Sequence, residues 1–454
     1  MTKGPTGDGA ADAARSWTAA QQGRAIGAGT LDPRALVEAY LDAATTHPDA
    51  ARVYARLTPG RALAEAEAAR VRAREGRRAS VLDGVAISWK DLVDTAGTAS
   101  EGGSRLLAGR VPERDAEIVA RATAAGTVCL GKTHLSELAF SGLGINPMAA
   151  TAPNRWDRGA APGGSSSGAA ASLFLDLAAL AIGSDTGGSV RIPAAWNDLV
   201  GLKTTPGLVP LDGCLPLAPS LDTMGPLARS VEDAALGLGL LTGRAAPPID
   251  ATARGLALCV PSTTVLDGLE DPVGPAFERA VETLATAGCR VTRGPLPALA
   301  EVVEAAATLS PVVTAEGWLA WGREIAASPD TLWPPIEARF RAGEGADPAK
   351  LAAALARFDA LRATVEAHIA ENGLLVAPTV PCPPPPVAPL MVDAERFLER
   401  NLKTLSNTRL FNLLGMCALT IPTGTPSVGL MIVAPAHGED RLLAAGRAVE
   451  RALA

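Results

Sequence analysis

Gly183-Ser184-Asp185-Thr186-Gly187-Gly188-Ser189-Val190-Arg191-Ile192-Pro193-Ala194 carries the densest chemistry in the chain. The apolar run that leads into it, Ala178 to Gly183, reads as a strand. Asp185 to Ser189 is then a glycine-rich turn. Two adjacent residues without side chains let backbone amides approach a bound atom closely. Ser189 on such a turn is a candidate nucleophile, and the amides of Thr186, Gly187, Gly188 and Ser189 are candidates for stabilising an oxyanion. Asp185 and Arg191 can pair and brace the turn. Taken alone, the same residues also make an ordinary structural turn.

Two segments upstream have equally plain readings when taken alone, Gly163 to Gly168 as a linker and Lys90 as an exposed charge at a strand end. Gly163-Gly164-Ser165-Ser166-Ser167-Gly168 is a Gly/Ser loop that leads into a helix over 169–175. Val85-Ala86-Ile87-Ser88 reads as a short buried strand that delivers Trp89-Lys90-Asp91. A serine hydroxyl is a weak nucleophile and needs a base. The chain has only four histidines, at 47, 134, 368 and 437, and nothing local pairs one with a serine. A lysine can serve if it is neutral, which requires its pKa to fall far below the free value of about 10.4. Lys90, at the end of an apolar strand, is placed to lose its solvent.

Three short motifs point elsewhere and fail on context. Gly126-Thr-Val-Cys-Leu-Gly131-Lys132-Thr133 fits the phosphate-loop pattern letter for letter. A phosphate loop needs a strand before its first glycine, whereas here Thr127 to Leu130 is itself the strand. Gly164 to Gly168 fits the nucleophile elbow around Ser166, but the polar, Gly/Pro-rich Asn154 to Gly164 supplies no strand running into the turn. Asp185-Thr186-Gly187 is the aspartic protease triplet without its required second copy.

Together, the Lys90, Ser165 and Ser189 segments resemble the amidase signature family. Ser165 and Ser189 lie 24 residues apart, as in that family. Further matching stretches are Gly126 to Thr133 with Ser136-Glu137, Val200-Gly-Leu-Lys203, Ser220-Leu-Asp222 through Gly225-Pro226 to Arg229-Ser-Val-Glu-Asp233, Pro378-Thr379 and Val428-Gly-Leu-Met431. The resemblance is dense over 80–235 and looser over 370–454. It implies one α/β fold, a central mixed β-sheet covered by helices on both faces. It also implies a relay in which Ser189 attacks, Ser165 bridges the proton through a cis peptide, and Lys90 is the general base. The reaction implied is hydrolysis of a small-molecule carboxamide through an acyl-enzyme, with no cofactor and no metal. Two rivals share the pattern. One is the glutaminase (A-type) component of a tRNA-dependent amidotransferase, which releases ammonia from glutamine; the Thr-Tyr-Gly-Arg run expected there stands here as Thr205-Pro206-Gly207-Leu208. The other is a catalytically silent binding member. Lys203-Thr204-Thr205, Asp198 and His134 depart from usual residues without touching the three catalytic positions.

The rest of the chain bounds these readings. With 48% apolar residues among 454 it can bury a large core, and its net charge of −7 with no basic stripe argues against a direct nucleic-acid partner. No stretch is apolar and long enough to cross a membrane. Residues 1–16 lack the basic start and apolar core of a secretion signal and read as a loose tail before a single domain over 17–454. Six scattered cysteines form no C-x-x-C pair and suit a reducing cytoplasm. Helices are expected over 32–44, 61–78, 115–125, 273–287 and 440–453, with strands between them. A helical insertion over about 297–370 includes Trp318 and Trp321. Pro381 to Pro389 reads as an extended surface loop. Cys214 and Cys417 are expected as small buried hydrophobes, and the sequence does not fix the oligomeric state, a homodimer being one assembly open to it.

Overall fold

Short apolar runs bounded by turn residues pair into one sheet. The structure, a computed structural model, describes residues 8–309 and 311–454. Its strands are β1 (Tyr54–Leu57), β2 (Ala86–Lys90), β3 (Val128–Thr133), β4 (Leu180–Ser184), β5 (Val200–Lys203), β6 (Met224–Ala228), β7 (Ala257–Pro261), β8 (Arg290–Gly294), β9 (Leu374–Pro378), β10 (Cys417–Pro422) and β11 (Gly429–Ala434). They form an 11-stranded sheet in the order β1-β3-β2-β4-β6-β5-β10-β11-β9-β7-β8. β2 runs parallel to β3 and β4, and β7 runs parallel to β8 and β9. The other pairings are antiparallel, so the sheet is mixed, as expected. β2, β3 and β4 are buried along their whole length, which is why they read as continuous apolar runs instead of alternating ones.

Helices cover both faces, and β10 shows how. Leu419 and Ile421 point at Gly446 in the C-terminal helix Glu439–Leu453. Thr420 points the other way, meets Thr379, and lies over Gly429 with Ala195 of the helix Arg191–Trp196. Alternate residues of a strand face opposite sides, so these helices belong to opposite layers. The helix Ser167–Phe174 packs on β2 and β4, and the helix Val231–Thr242 packs on β5 and β6. The segment expected as an insertion is helical: Pro297–Thr308, Val312–Ala327, Pro334–Arg341 and Pro348–Asn372.

Several sequence expectations need correction. The tail expected over 1–16 is a helix over Asp8–Ala14, with Ala11 and Ala14 buried; residues 1–7 lie outside the described residues. It docks because Arg15 donates to the Asp176 carbonyl at 2.8 Å and the Tyr40 hydroxyl donates to the Arg15 carbonyl at 3.0 Å. The proline-rich stretch is neither wholly extended nor wholly on the surface. Cys382 is buried, and its carbonyl accepts from the Trp196 indole at 3.1 Å. A helix spans Val387–Val392 and holds Pro389 in its first turn, where a missing N–H leaves no intrahelical bond unmade. β6 is a strand that the sequence reading did not place; it contains Gly225-Pro226, a dipeptide typical of turns. Glycine is needed there because a Cβ would lie 1.9 Å from the Leu202 carbonyl oxygen. Among the described residues, no single helix is long and apolar enough to cross a membrane.

Candidate active site

The parallel strands β2 and β4 end side by side and bring Lys90 next to Ser184. The Lys90 ammonium donates to Ser184 Oγ at 2.8 Å and to Ser165 Oγ at 2.5 Å. Lys90 and Ser165 are fully buried, and Ser189 is 5% exposed. The Gly164–Ser165 peptide is cis. The next residue ties this loop to the Ser189 turn, since the Ser166 amide donates to the Ser189 carbonyl at 3.2 Å. Burial pushes the Lys90 amine down to about 7, against an upward pull from Asp185 and Asp222. Half of such a group is neutral near pH 7.

Asp185 braces the turn. Its carboxylate accepts from Arg191 Nε and Nη2, both at 3.0 Å, and from the Gly188 amide at 2.7 Å. Burial alone would raise this carboxyl, but Arg191, Lys203 and Asn412 outweigh it and hold it well below the usual range. This corrects one part of the expected oxyanion site. The Gly188 N–H is committed to Asp185, which leaves the amides of Thr186, Gly187 and Ser189 without a protein acceptor among the described residues. Gly188 is needed for its conformation: its φ is +135°, and a Cβ would lie 2.2 Å from Thr408 Oγ1. Thr186, Gly187 and Ser189 line a cavity of about 500 Å³ with mostly apolar walls.

The decoy motifs have settled structural places. Lys132 is buried in β3, where it donates to Ser100 Oγ at 2.6 Å and lies 3.2 Å from Asp91. Ser166 Oγ donates to the Ser184 carbonyl at 3.3 Å, and Ser167 opens a helix. Neither Cys214 nor Cys417 is on the cavity wall, and burial pushes the Cys214 thiol up to about 12. Trp318 and Trp321 are not on the wall either; the Trp321 indole donates to the Pro216 carbonyl at 2.8 Å. Among the described residues no cluster of three or more His, Cys, Asp or Glu is placed to hold a metal ion.

A family model described as Amidase matches residues 35–443. The chain belongs to the amidase family. It is 34% identical over 393 residues, 83% of each chain, to the 2-amino-5-chloromuconic acid deaminase of Comamonas testosteroni. It is 31% identical over 464 residues, 94% of each chain, to the A-type component of the glutamyl-tRNA(Gln) amidotransferase of Chloroflexus aggregans. Among solved structures, one amidase superposes with a TM-score of 0.87 at 29% identity, covering 96% of this chain and all of that one. Native peptide amidase from Stenotrophomonas maltophilia superposes at 0.79 with 29% identity over 96% of both chains. The enzyme class is therefore amide hydrolase.

The candidate site of this amidase includes residues that its sequence did not single out. Asp222 accepts from Thr186 Oγ1 at 2.5 Å and from the Leu217 and Ala218 amides at 2.8 and 3.1 Å. Burial raises its carboxyl, against the pull of those donors and of Lys90. The helix Ala394–Leu413 supplies the other missed groups. Thr408 Oγ1 donates to the Gly187 carbonyl at 2.6 Å, and Asn412 Oδ1 accepts from Arg191 Nη2 at 2.5 Å. Asn401, Thr404, Thr408 and Asn412 all turn inward. Their spacing of three and four residues is the one signal in the sequence, a polar stripe that would otherwise read as a solvated face. Of the departures from the family pattern, Asp198 has φ of +53°, a conformation glycine takes freely and Asp tolerates. His134 is half-buried with its Nδ1 covered and unpartnered, and desolvation lowers it to about 4, so the ring is neutral. It is not on the cavity wall.

Proposed function

We propose that this chain hydrolyses a small-molecule carboxamide to a carboxylate and ammonia or an amine, through a Ser189 acyl-enzyme. The observation that carries the reading is Lys90, fully buried, 2.5 Å from Ser165 Oγ and held near neutrality at physiological pH. Neutral Lys90 accepts the Ser165 hydroxyl proton while Ser165 takes the proton of Ser189. Ser189 Oγ then bonds to the amide carbonyl carbon. The uncommitted amides of Thr186, Gly187 and Ser189 face the charge that forms on oxygen; one such donor is worth about 3–4 kcal/mol. The proton returns along the relay to the leaving nitrogen as the C–N bond breaks. Water repeats the sequence and frees the acid. Asp185 and Arg191 hold the turn rigid, and no step calls for a metal or cofactor. The scattered free cysteines fit work in a reducing cytoplasm, by the chain alone or as a homodimer.

A screen of the purified chain against aliphatic amides, arylamides and glutamine, scored by ammonia release, tests this. Turnover is expected for at least one non-glutamine amide, and Ser189→Ala is expected to abolish it with the fold intact. Near-native turnover in that variant, with Ser166 or Ser167 essential instead, refutes the assignment. The second reading, the glutaminase component of a tRNA-dependent amidotransferase, is favoured by the full-length match to the Chloroflexus aggregans protein. It is opposed by Thr205-Pro206-Gly207-Leu208. Activity confined to glutamine and dependent on added partner proteins would establish it.

A further inference from the structure

The cavity at Ser189 is walled by apolar side chains, among them Phe140, Leu217, Leu221, Phe397 and Leu405. Two guanidiniums interrupt that wall. Arg339 comes from the helix Pro334–Arg341, and Arg409 from the helix Ala394–Leu413. Helices far apart in sequence thus deliver two like charges to one cavity. Among the described residues neither arginine has an ion-pair partner, and Arg339 Nε is buried with no hydrogen-bond acceptor. Arg339 stacks over the Phe140 ring, with Cζ 4.3 Å from the ring centroid. Burial pushes Arg339 down to about 10, and Arg409 pushes it the same way; burial lowers Arg409 as well. Glu395 also lines the cavity but is exposed and pairs with neither.

Both side chains are half-buried and Arg339 Nε is fully covered, so two unpaired charges of one sign on this wall are costly. The arrangement is explained if the missing partner arrives with the ligand. We propose that the substrate is an amide bearing a carboxylate on an apolar stem, with the carboxylate held by Arg339 and Arg409. The proposal rests on the reading that this cavity hydrolyses amides. A guanidinium presents a planar fork of donors that matches a carboxylate, and the aliphatic and aromatic walls take the stem. A cavity of about 500 Å³ holds a small molecule of this kind.

Matched pairs of amides test it: adipamate against hexanamide, and 4-carbamoylbenzoate against 4-methylbenzamide. Wild type is expected to favour the acid of at least one pair by about 30-fold or more in kcat/KM. In Arg339→Met and Arg409→Met that ratio should collapse to within a few-fold, mostly through KM, and Arg339→Lys should fall between. The melting temperature of ligand-free Arg339→Met should hold or rise, since the change removes an unpaired, half-buried charge; an arginine with only a structural role would lower it. Calorimetric binding of the same four amides to Ser189→Ala supplies a readout without turnover. Preference for the acids there, lost on adding Arg339→Met, supports the proposal even if no amide is hydrolysed and the amidase reading falls. Equal or better use of the neutral amides by wild type, or an acid preference unchanged in both Met variants, overturns it while leaving the amidase reading in place.

Discussion

Replacing Lys90 by Arg tests the mechanism at its most exposed point. Burial takes this amine from 10.5 to about 7. At pH 7 a group of that pKa is about half neutral, whereas a free lysine is neutral in only about 3 molecules in 10,000. Burial therefore raises the population of competent base on the order of 1,000-fold. Protonated Lys90 cannot accept a proton, so activity should rise with pH through about 7 and hold on the alkaline side. Two units below that midpoint the rate should be about 1% of the plateau. Arginine stays protonated throughout the accessible range. It should lose about three orders of magnitude or more in kcat/KM, as should the uncharged Lys90→Met. The carboxylates supply an internal control. Asp185 and Asp222 pull the Lys90 pKa upward, so Asp222→Asn should move the acid limb to lower pH. The assay is ammonia release against pH from 5 to 9, with circular dichroism and thermal melts to establish folding. An arginine variant that keeps a tenth or more of the activity with an unchanged profile would remove Lys90 from the chemistry.

A fluorophosphonate probe should attach to Ser189, and mass spectrometry should find no adduct on Cys214, whose thiol burial holds near 12; an adduct on cysteine that tracks inactivation would overturn the serine mechanism. Arg191→Met leaves the Asp185 charge without its partner in a fully buried site, so a loss of about 3–5 kcal/mol in unfolding free energy is expected. A denaturant midpoint close to wild type would contradict that account of the turn. Gly188→Ala drives a Cβ to 2.2 Å from Thr408 Oγ1 at a φ of +135°. It should cost about 1–3 kcal/mol and most of the activity, and a fully active variant would show that the turn tolerates another conformation.

The mixed sheet and the joining of the Lys90, Ser165 and Ser189 segments followed from the family resemblance, whereas the α/β class and the rejection of three competing motifs followed from the sequence by itself. Readings of the second kind depend on local composition: a strand must be apolar, a turn must hold glycine, and a base for serine must be present as a residue type. Even the depressed lysine pKa was readable, because Lys90 ends an apolar run. What the sequence could not give depends on which backbone groups meet across the fold. The commitment of the Gly188 amide to Asp185 is set by a carboxylate only three residues away, yet it needs the full path of the turn. β6 hides behind Gly225-Pro226, because its place depends on the close passage of Leu202. Polar residues along the helix Ala394–Leu413 look solvated in one dimension. Only packing turns Thr408 and Asn412 onto the nucleophile turn and Arg409 toward Arg339, a residue 70 positions earlier. A charge is stabilised or left unpaired by neighbours within a few ångströms, and for these residues the neighbours are chosen by the tertiary fold.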